Sequence, residues 1–379
     1  MLDSLILKNI GPIREANVRF GDLTILVGPQ ATGKSVFLQL FKLVLDSGVI
    51  VKYLDEHGLN WHSKFDEFLT LYLGEGTAQM WRPGDSEILW RGRPFDPENR
   101  VVRGRNGAPE KSFLIPAQRV MSFSRDGWFR PFNDYKPGDP YCVRDFSEKM
   151  RRLMEADDAQ SGGYYPEDPQ LTSEVRALLS KSIFRGFQLE LEQTGPQKRL
   201  ILGGHGTHLP YMVWSAGQRE FVPLFLGFHL LLPPVDEFQW VLIEELEMGL
   251  HPKGIAAVFF VVLMLLERGY KVCISTHSPS VLDLVWAFRL LREHHGDPAK
   301  VLSIFDVGQT PGTMRIARTA LTKSAKVFYF DPDSGRTRDI SHLDPASPEV
   351  AEAGWGGLTE LSGRLADVVA ETIANGDRT

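Results

Sequence analysis

Gly28-Pro29-Gln30-Ala31-Thr32-Gly33-Lys34-Ser35 has the spacing of a loop that wraps phosphate. Its glycines let the backbone curl so that successive N–H groups face phosphate oxygens. An apolar strand precedes it (Leu23–Val27), and a helix with Phe37, Leu38, Phe41, Val44 and Leu45 on one face follows, so the helix N-terminus adds a positive end to the cradle. Lys34 would reach the β- and γ-phosphates of a nucleoside triphosphate, and the Ser35 hydroxyl would ligate Mg²⁺.

Further along, Trp240-Val241-Leu242-Ile243 ends in Glu244-Glu245. An apolar run of this length is a buried strand. It carries the next two residues to the C-terminal edge of a sheet, where α/β proteins bind ligands. Glu244 is expected in the Mg²⁺ shell, directly or through water, and Glu245 is expected to polarise an attacking water. The bland alternative is a solvated acidic cluster with Glu247. His277, in Ser275-Thr276-His277-Ser278-Pro279, follows the next strand and is placed to hydrogen-bond the γ-phosphate or that water. The chemistry implied is binding and hydrolysis of ATP with Mg²⁺.

Two further segments depend on position. Ser215-Ala216-Gly217-Gln218 opens an apolar helix ahead of the acidic strand. Ser215 suits the N-cap, and the free N–H groups of that turn would face an anion. This surface is not expected to reach the phosphate loop of its own chain, which implies a two-fold dimer with two composite sites. Gln118, after Leu114-Ile115-Pro116-Ala117, is either a glutamine that senses Mg²⁺ and the γ-phosphate or an ordinary surface residue.

The elements that must position these groups read as a mixed α/β core. Strands are expected at 2–8, 14–20, 23–27, 87–90, 112–115, 187–193, 198–201, 240–243, 271–275 and 326–330. Helices are expected at 59–73, 145–157, 171–184, 254–267 and 357–374, with another after Ser215. The core is expected in two parts, residues 1–48 and 211–379, around an inserted antiparallel β/helical lid region at 49–210. No heptad pattern supports a long coiled coil between 146 and 185.

Composition narrows the class. The chain has 379 residues, 43% hydrophobic and 24% charged, with a net charge of -6, which is the balance of a soluble globular protein and not of a wholly basic nucleic-acid binder. Two cysteines, Cys142 and Cys273, are too few for a disulfide framework or a zinc site and fit a reducing, cytoplasmic setting. The start lacks the features of a signal peptide. The most apolar run, Ile255–Leu266, falls short of the roughly 20 residues of a membrane helix, so no membrane association is expected. Residues 82–130 carry ten Lys/Arg, among them Arg91, Arg93, Arg100, Arg103, Arg105 and Arg119, against six Asp/Glu. With nearby Trp and Phe they suit a nucleic-acid surface, a protein-partner surface or a solvated sheet face. Asp331-Pro332-Asp333 resembles a metal-binding carboxylate pair but reads better as a turn.

These motifs, with Glu-Glu-x-Glu-x-x-Leu-His-Pro at 244–252, resemble those of the ABC-type AAA family ATPases related to OLD, RecF and SMC heads. The resemblance spans most of the chain. It implies an ABC-type P-loop NTPase head whose Ser215–Gln218 segment acts on the ATP of a second subunit. It also implies a homodimer or higher assembly and a role in anti-phage defence or DNA metabolism with a separate effector chain. A RecF-like repair ATPase that clamps DNA, and a slow nucleotide-dependent scaffold, are the rival readings. Ala216 stands where the family signature has glycine, and Glu244 where it usually has Asp. No Toprim nuclease segment follows.

Overall fold

In the computed structural model, which describes residues 3–103, 109–157, 163–165, 171–194, 197–233 and 238–376, the chain opens with the antiparallel strands β1 (Ser4–Ile10) and β2 (Ile13–Arg19). Their apolar residues alternate, so Leu5, Leu7, Ala16 and Val18 share a buried face. β3 (Leu23–Val27) is buried at every position, as a strand covered on both faces must be. It leads through the Gly28–Gly33 loop into α1 (Lys34–Glu56).

Asp46 interrupts α1 with a non-helical φ of -126°. Its carboxylate accepts hydrogen bonds from the amides of Lys111 (2.7 Å) and Ser112 (3.1 Å). Buried Lys42 reaches Glu110 at 2.6 Å and the Ser112 carbonyl at 3.0 Å. The kink thus ties α1 to the start of a strand far along the chain. α2 (Phe65–Leu73) begins later than the expected residue 59, because His62 and Ser63 take φ values of 48° and 59° that no helix admits.

β4 (Glu87–Trp90) and β5 (Arg93–Pro94) extend the N-terminal pair into a sheet of order β2-β1-β4-β5. α3 (Pro97–Arg103), β6 (Ser112–Ile115) and α4 (Tyr141–Asp157) follow. After β7 (Gly163–Tyr165) and α5 (Ser173–Leu179) come β8 (Gln188–Thr194), β9 (Gln197–Gly204) and β10 (Thr207–Pro210). These four strands form an antiparallel sheet of their own, ordered β10-β9-β8-β7. α6 (Ala216–Leu231), β11 (Trp240–Ile243), α7 (Pro252–Glu267), β12 (Lys271–Thr276), α8 (Pro279–Glu293), α9 (Pro298–Phe305) and α10 (Pro311–Thr322) return to an α/β pattern. β13 (Ala325–Phe330), β14 (Thr337–Asp339), α11 (Val350–Ala353) and α12 (Glu360–Gly376) complete it.

The central sheet runs β14-β13-β3-β12-β11-β6, with all pairs parallel except the β13–β14 hairpin. Its strands feed two cores by alternation. Leu26, Leu114, Trp240, Leu242, Cys273 and Phe328 face the α1 side, while Ile25, Val27, Phe113, Ile115, Ile243 and Ile274 face α7. Burying each such side chain contributes about 1.5–3 kcal/mol. α7 is this second core's centrepiece. Every residue from Ala257 to Leu266 is buried, and no helix of the described residues is long and apolar enough to cross a membrane.

Strands of segment 49–210 join sheets with both flanking parts. β4 pairs with β1 and β6 pairs with β11, so both are built into the sheets of the flanking parts. Among the described residues, the antiparallel sheet lying wholly within that segment is β7–β10. Ser112–Ile115 is four buried residues in a row, the signature of a strand inside a parallel sheet rather than in a half-solvated lid.

Candidate nucleotide site at the C-terminal sheet edge

Parallel strands place their C-terminal ends together. Register pairs Val27 with Thr276, and Ile243 with both Ile274 and Ile115. The segments that follow these strands, Gly28–Ser35, His277, Glu244–Glu245 and Gln118, therefore lie along one edge of the sheet.

The loop needs its glycines. Gly28 has a φ of 148°, and a Cβ there would lie 2.6 Å from the Phe330 carbonyl oxygen. Gly33, the N-cap of α1, has a φ of 96°, and a Cβ would lie 2.6 Å from Ile13 Cγ1. Pro29, Gln30 and Ala31 are exposed at the tip. The ammonium of Lys34 donates to the carbonyls of Gly28 (2.8 Å) and Pro29 (2.6 Å), and Thr32 Oγ1 donates to Pro29 O at 2.9 Å. Burial pushes Lys34 down to about 8, while the charges of Glu245 and Glu247 oppose that shift. Ser35 is half-buried in the first turn of α1.

The two carboxylates of the acidic strand have different surroundings. Glu244 is fully buried. It accepts from the Ala117 amide at 3.0 Å and from Gln39 Nε2 at 3.3 Å, and burial pushes it up to about 7. Glu245 is partly exposed. Its Oε1 lies 3.6 Å from His277 Nε2, and that contact leads the causes that hold its pKa below the usual carboxylate value. Glu245 also has a φ of 47°, a left-handed conformation rare for residues other than glycine and common at functional sites. Its amide donates to Ser275 Oγ at 3.2 Å.

From the sequence, Glu247 entered only the alternative of a solvated acidic cluster, with no role of its own. Instead its carboxylate accepts from Thr276 Oγ1 at 2.9 Å and from the His277 amide. It therefore sets the backbone that presents the imidazole. The third glutamate of Glu-Glu-x-Glu was the available signal. Gln39 was also missed, although a glutamine on the buried side of α1 is itself unusual. Arg119, counted with the basic stretch, is fully buried beneath the acidic strand.

Ser215 caps α6. Gln218 N donates to its Oγ at 3.3 Å, while the Ser215 amide donates to Gln218 Oε1 at 2.9 Å. The tolerance for Ala216 follows from its place at the first helical position. Gly217 is constrained more tightly, since a Cβ would lie 2.8 Å from the Gly249 carbonyl. Leu250-His251-Pro252 has a local explanation too. His251 Nδ1 accepts from Lys253 N at 3.2 Å as the N-cap of α7, with Pro252 at its first position.

Gln118 is exposed just beyond β6, on the same sheet edge. Of the basic surface, Arg91 pairs with Asp3 at 2.7 Å and covers the Trp90 ring. Arg93 and Arg100 are exposed. Arg103 lies at the end of α3, and Arg105 lies outside the described residues. Asp331 is a turn residue. Its carboxylate accepts from the Asp333 and Ser334 amides and pairs with Arg338 at 2.6 Å. Among the described residues there is no group of three or more His, Cys, Asp or Glu that could hold a metal ion.

The donors that could hold Mg²⁺ are all oxygens, namely the Ser35 hydroxyl, the Glu244 carboxylate and the Gln118 amide oxygen. Mg²⁺ favours such hard ligands and usually keeps several waters. Burial raises the Glu244 pKa, and a cation beside it would favour the charged carboxylate again.

Comparison with known proteins finds one family model and distantly similar solved structures. Residues 123–283 match the family described as "AAA domain, putative AbiEii toxin, Type IV TA system". That stretch holds Ser215–Gln218, Glu244–Glu245 and His277. Among solved structures, the SMC head bound to the C-winged helix domain of ScpA is 13% identical, with a TM-score of 0.40, covering 74% of this chain and 90% of that one. The SMC head domain from Thermotoga maritima is 16% identical, with a TM-score of 0.34, 74% of this chain and 91% of that one covered. The protein cbiO1 from Clostridium perfringens, part of the ABC transporter complex cbiONQ, is 14% identical, with a TM-score of 0.33 and coverage of 73% of this chain and 80% of that one. A search of curated proteins gave no match. The matched stretch is under half of the chain; the phosphate loop between β3 and α1 and the order of motifs along the edge of the parallel sheet are those of a P-loop NTPase fold.

Proposed function

We propose that the chain binds ATP with Mg²⁺ at Gly28–Ser35 and hydrolyses it at a site completed by Ser215–Gln218 of a second copy. Lys34 binds the β- and γ-phosphates. Glu245, held ionised beside His277, accepts a proton from the attacking water, and His277 hydrogen-bonds the γ-phosphate or that water. Ser35, Glu244 and Gln118 would hold Mg²⁺, which would supply positive charge beside the phosphates. The cycle closes and opens the dimer, and this switch serves a separate effector chain in anti-phage defence or DNA metabolism in the cytoplasm. The observation that carries the catalytic part is the meeting of Lys34, Glu245 and His277 at one sheet edge. The His277 imidazole first, then the Lys34 ammonium and the Arg119 guanidinium, favour the Glu245 carboxylate as an anion.

Equilibrium binding of a fluorescent ATP analogue tests the phosphate loop. Wild type should bind it saturably with Mg²⁺, and Lys34→Ala should not. Unchanged affinity in Lys34→Ala would remove the assignment.

A further inference from the structure

We infer that Arg119 is a positioning residue that locks the main chain of Glu244 and Glu245 to the first turns of α6, so that the Ser215 segment and the carboxylate facing His277 move as one unit. The inference rests on the proposed ATPase reading.

Arg119 has no exposed surface. Its Nη1 donates to the Glu244 carbonyl at 3.1 Å, and its Nη2 donates to the Glu245 carbonyl at 3.1 Å. Its Nε donates to the Glu220 carbonyl at 2.9 Å, with Glu220 Oε2 at 3.5 Å. Nη1 also reaches Pro116 O at 3.4 Å. One planar fork therefore spans two successive carbonyls of the acidic segment, the signature helix, and the turn that bears Gln118. Only a guanidinium has donors fixed in that arrangement.

The segment it holds needs holding. Glu245 sits in the left-handed region at a φ of 47°, a conformation a free chain would leave. The carbonyls on both sides of that strained residue are those Arg119 grips. A second contact joins the same two segments, since Gly217 approaches the Gly249 carbonyl too closely for a side chain. Glu220 lies in α6, just after Ser215–Gln218. Displacement of α6 on docking of a partner's nucleotide would thus pull directly on the Glu245 backbone.

Arg119→Lys is the test, read by affinity for a fluorescent ATP analogue, by kcat and KM for ATP, and by amide hydrogen exchange. Lysine keeps the charge but cannot bridge both carbonyls. Affinity and KM should stay within about twofold, while kcat falls by about 10²-fold, the scale of a misplaced catalytic group. Exchange at 244–250 should quicken while that of α1 stays unchanged. A folded Arg119→Lys protein with wild-type kcat and wild-type exchange at 244–250 would overturn the inference. If that variant does not fold, Glu220→Gln decides. Loss of the ion pair should lower kcat about threefold at constant KM and quicken exchange at 244–250, and no change in either overturns the coupling. Absence of turnover in wild type would reject the ATPase reading instead, and the exchange result would still decide the role of Arg119.

Discussion

His277 Nε2 lies 3.6 Å from Glu245 Oε1 at the C-terminal edge of the central sheet. The two side chains come from adjacent parallel strands and are aligned by two different anchors. Glu247 fixes the backbone under His277, and Ser275 receives the amide of Glu245. The contact keeps Glu245 ionised, the state a proton acceptor must have. Glu244, one residue earlier, is driven the opposite way by burial. The two neighbouring carboxylates thus differ in pKa because one is partly exposed beside an imidazole and the other is fully buried.

Lys34 gives a pH dependence. Burial places its pKa at about 8, so the cation that meets phosphate is lost as pH rises through that value. Affinity for a non-hydrolysable ATP analogue should fall about tenfold between pH 7 and pH 9. Titration calorimetry would show it, with Lys34→Ala as the control. A pH-independent wild-type affinity over that range would contradict the role of the Lys34 charge.

Glu244 makes a stability prediction. Its folded pKa, about 7, lies above the ordinary value of 4.5. The folded protein therefore binds the extra proton, and this contribution is full below pH 4.5 and is lost as pH rises through 7. Without nucleotide, Glu244→Gln should gain about 2 kcal/mol on wild type between pH 5 and pH 8. Urea denaturation of both proteins at the two pH values measures the difference. Parallel pH profiles would show that Glu244 is ionised in the folded state.

Ser215→Arg tests the composite site. A bulky cation at the N-cap of α6 should leave ATP binding within about twofold of wild type and abolish turnover, because the lesion falls on the partner's nucleotide. Mixing Ser215→Arg with Lys34→Ala subunits creates heterodimers with one intact site, and phosphate release should return. A Ser215→Arg protein, monomeric by light scattering, that hydrolyses ATP at the wild-type rate would contradict the dimeric arrangement.

Much of this site was legible because its parts are local. The phosphate loop is a contiguous segment between a strand and a helix, and the strand has the expected bounds at 23–27. The Ser215 cap follows from one residue and its helix. What the sequence concealed depends on pairing between distant segments. Nothing near Ser112 indicates that it joins Trp240 in the central sheet. Arg119 reads as one more cation in a basic stretch until the fold buries it under the Glu244 and Glu245 carbonyls. The same holds for Gln39, whose partner Glu244 lies 205 residues away.

The most direct measurement is phosphate release by wild type and Glu245→Gln with ATP and Mg²⁺, alongside binding of a fluorescent ATP analogue to both. Removing the proton acceptor should slow release by about 10²–10⁴-fold while affinity stays within about twofold. The persisting γ-phosphate should also hold more of the variant as a closed dimer in light scattering. Wild-type turnover by Glu245→Gln would contradict the assignment of Glu245 as the group that activates water.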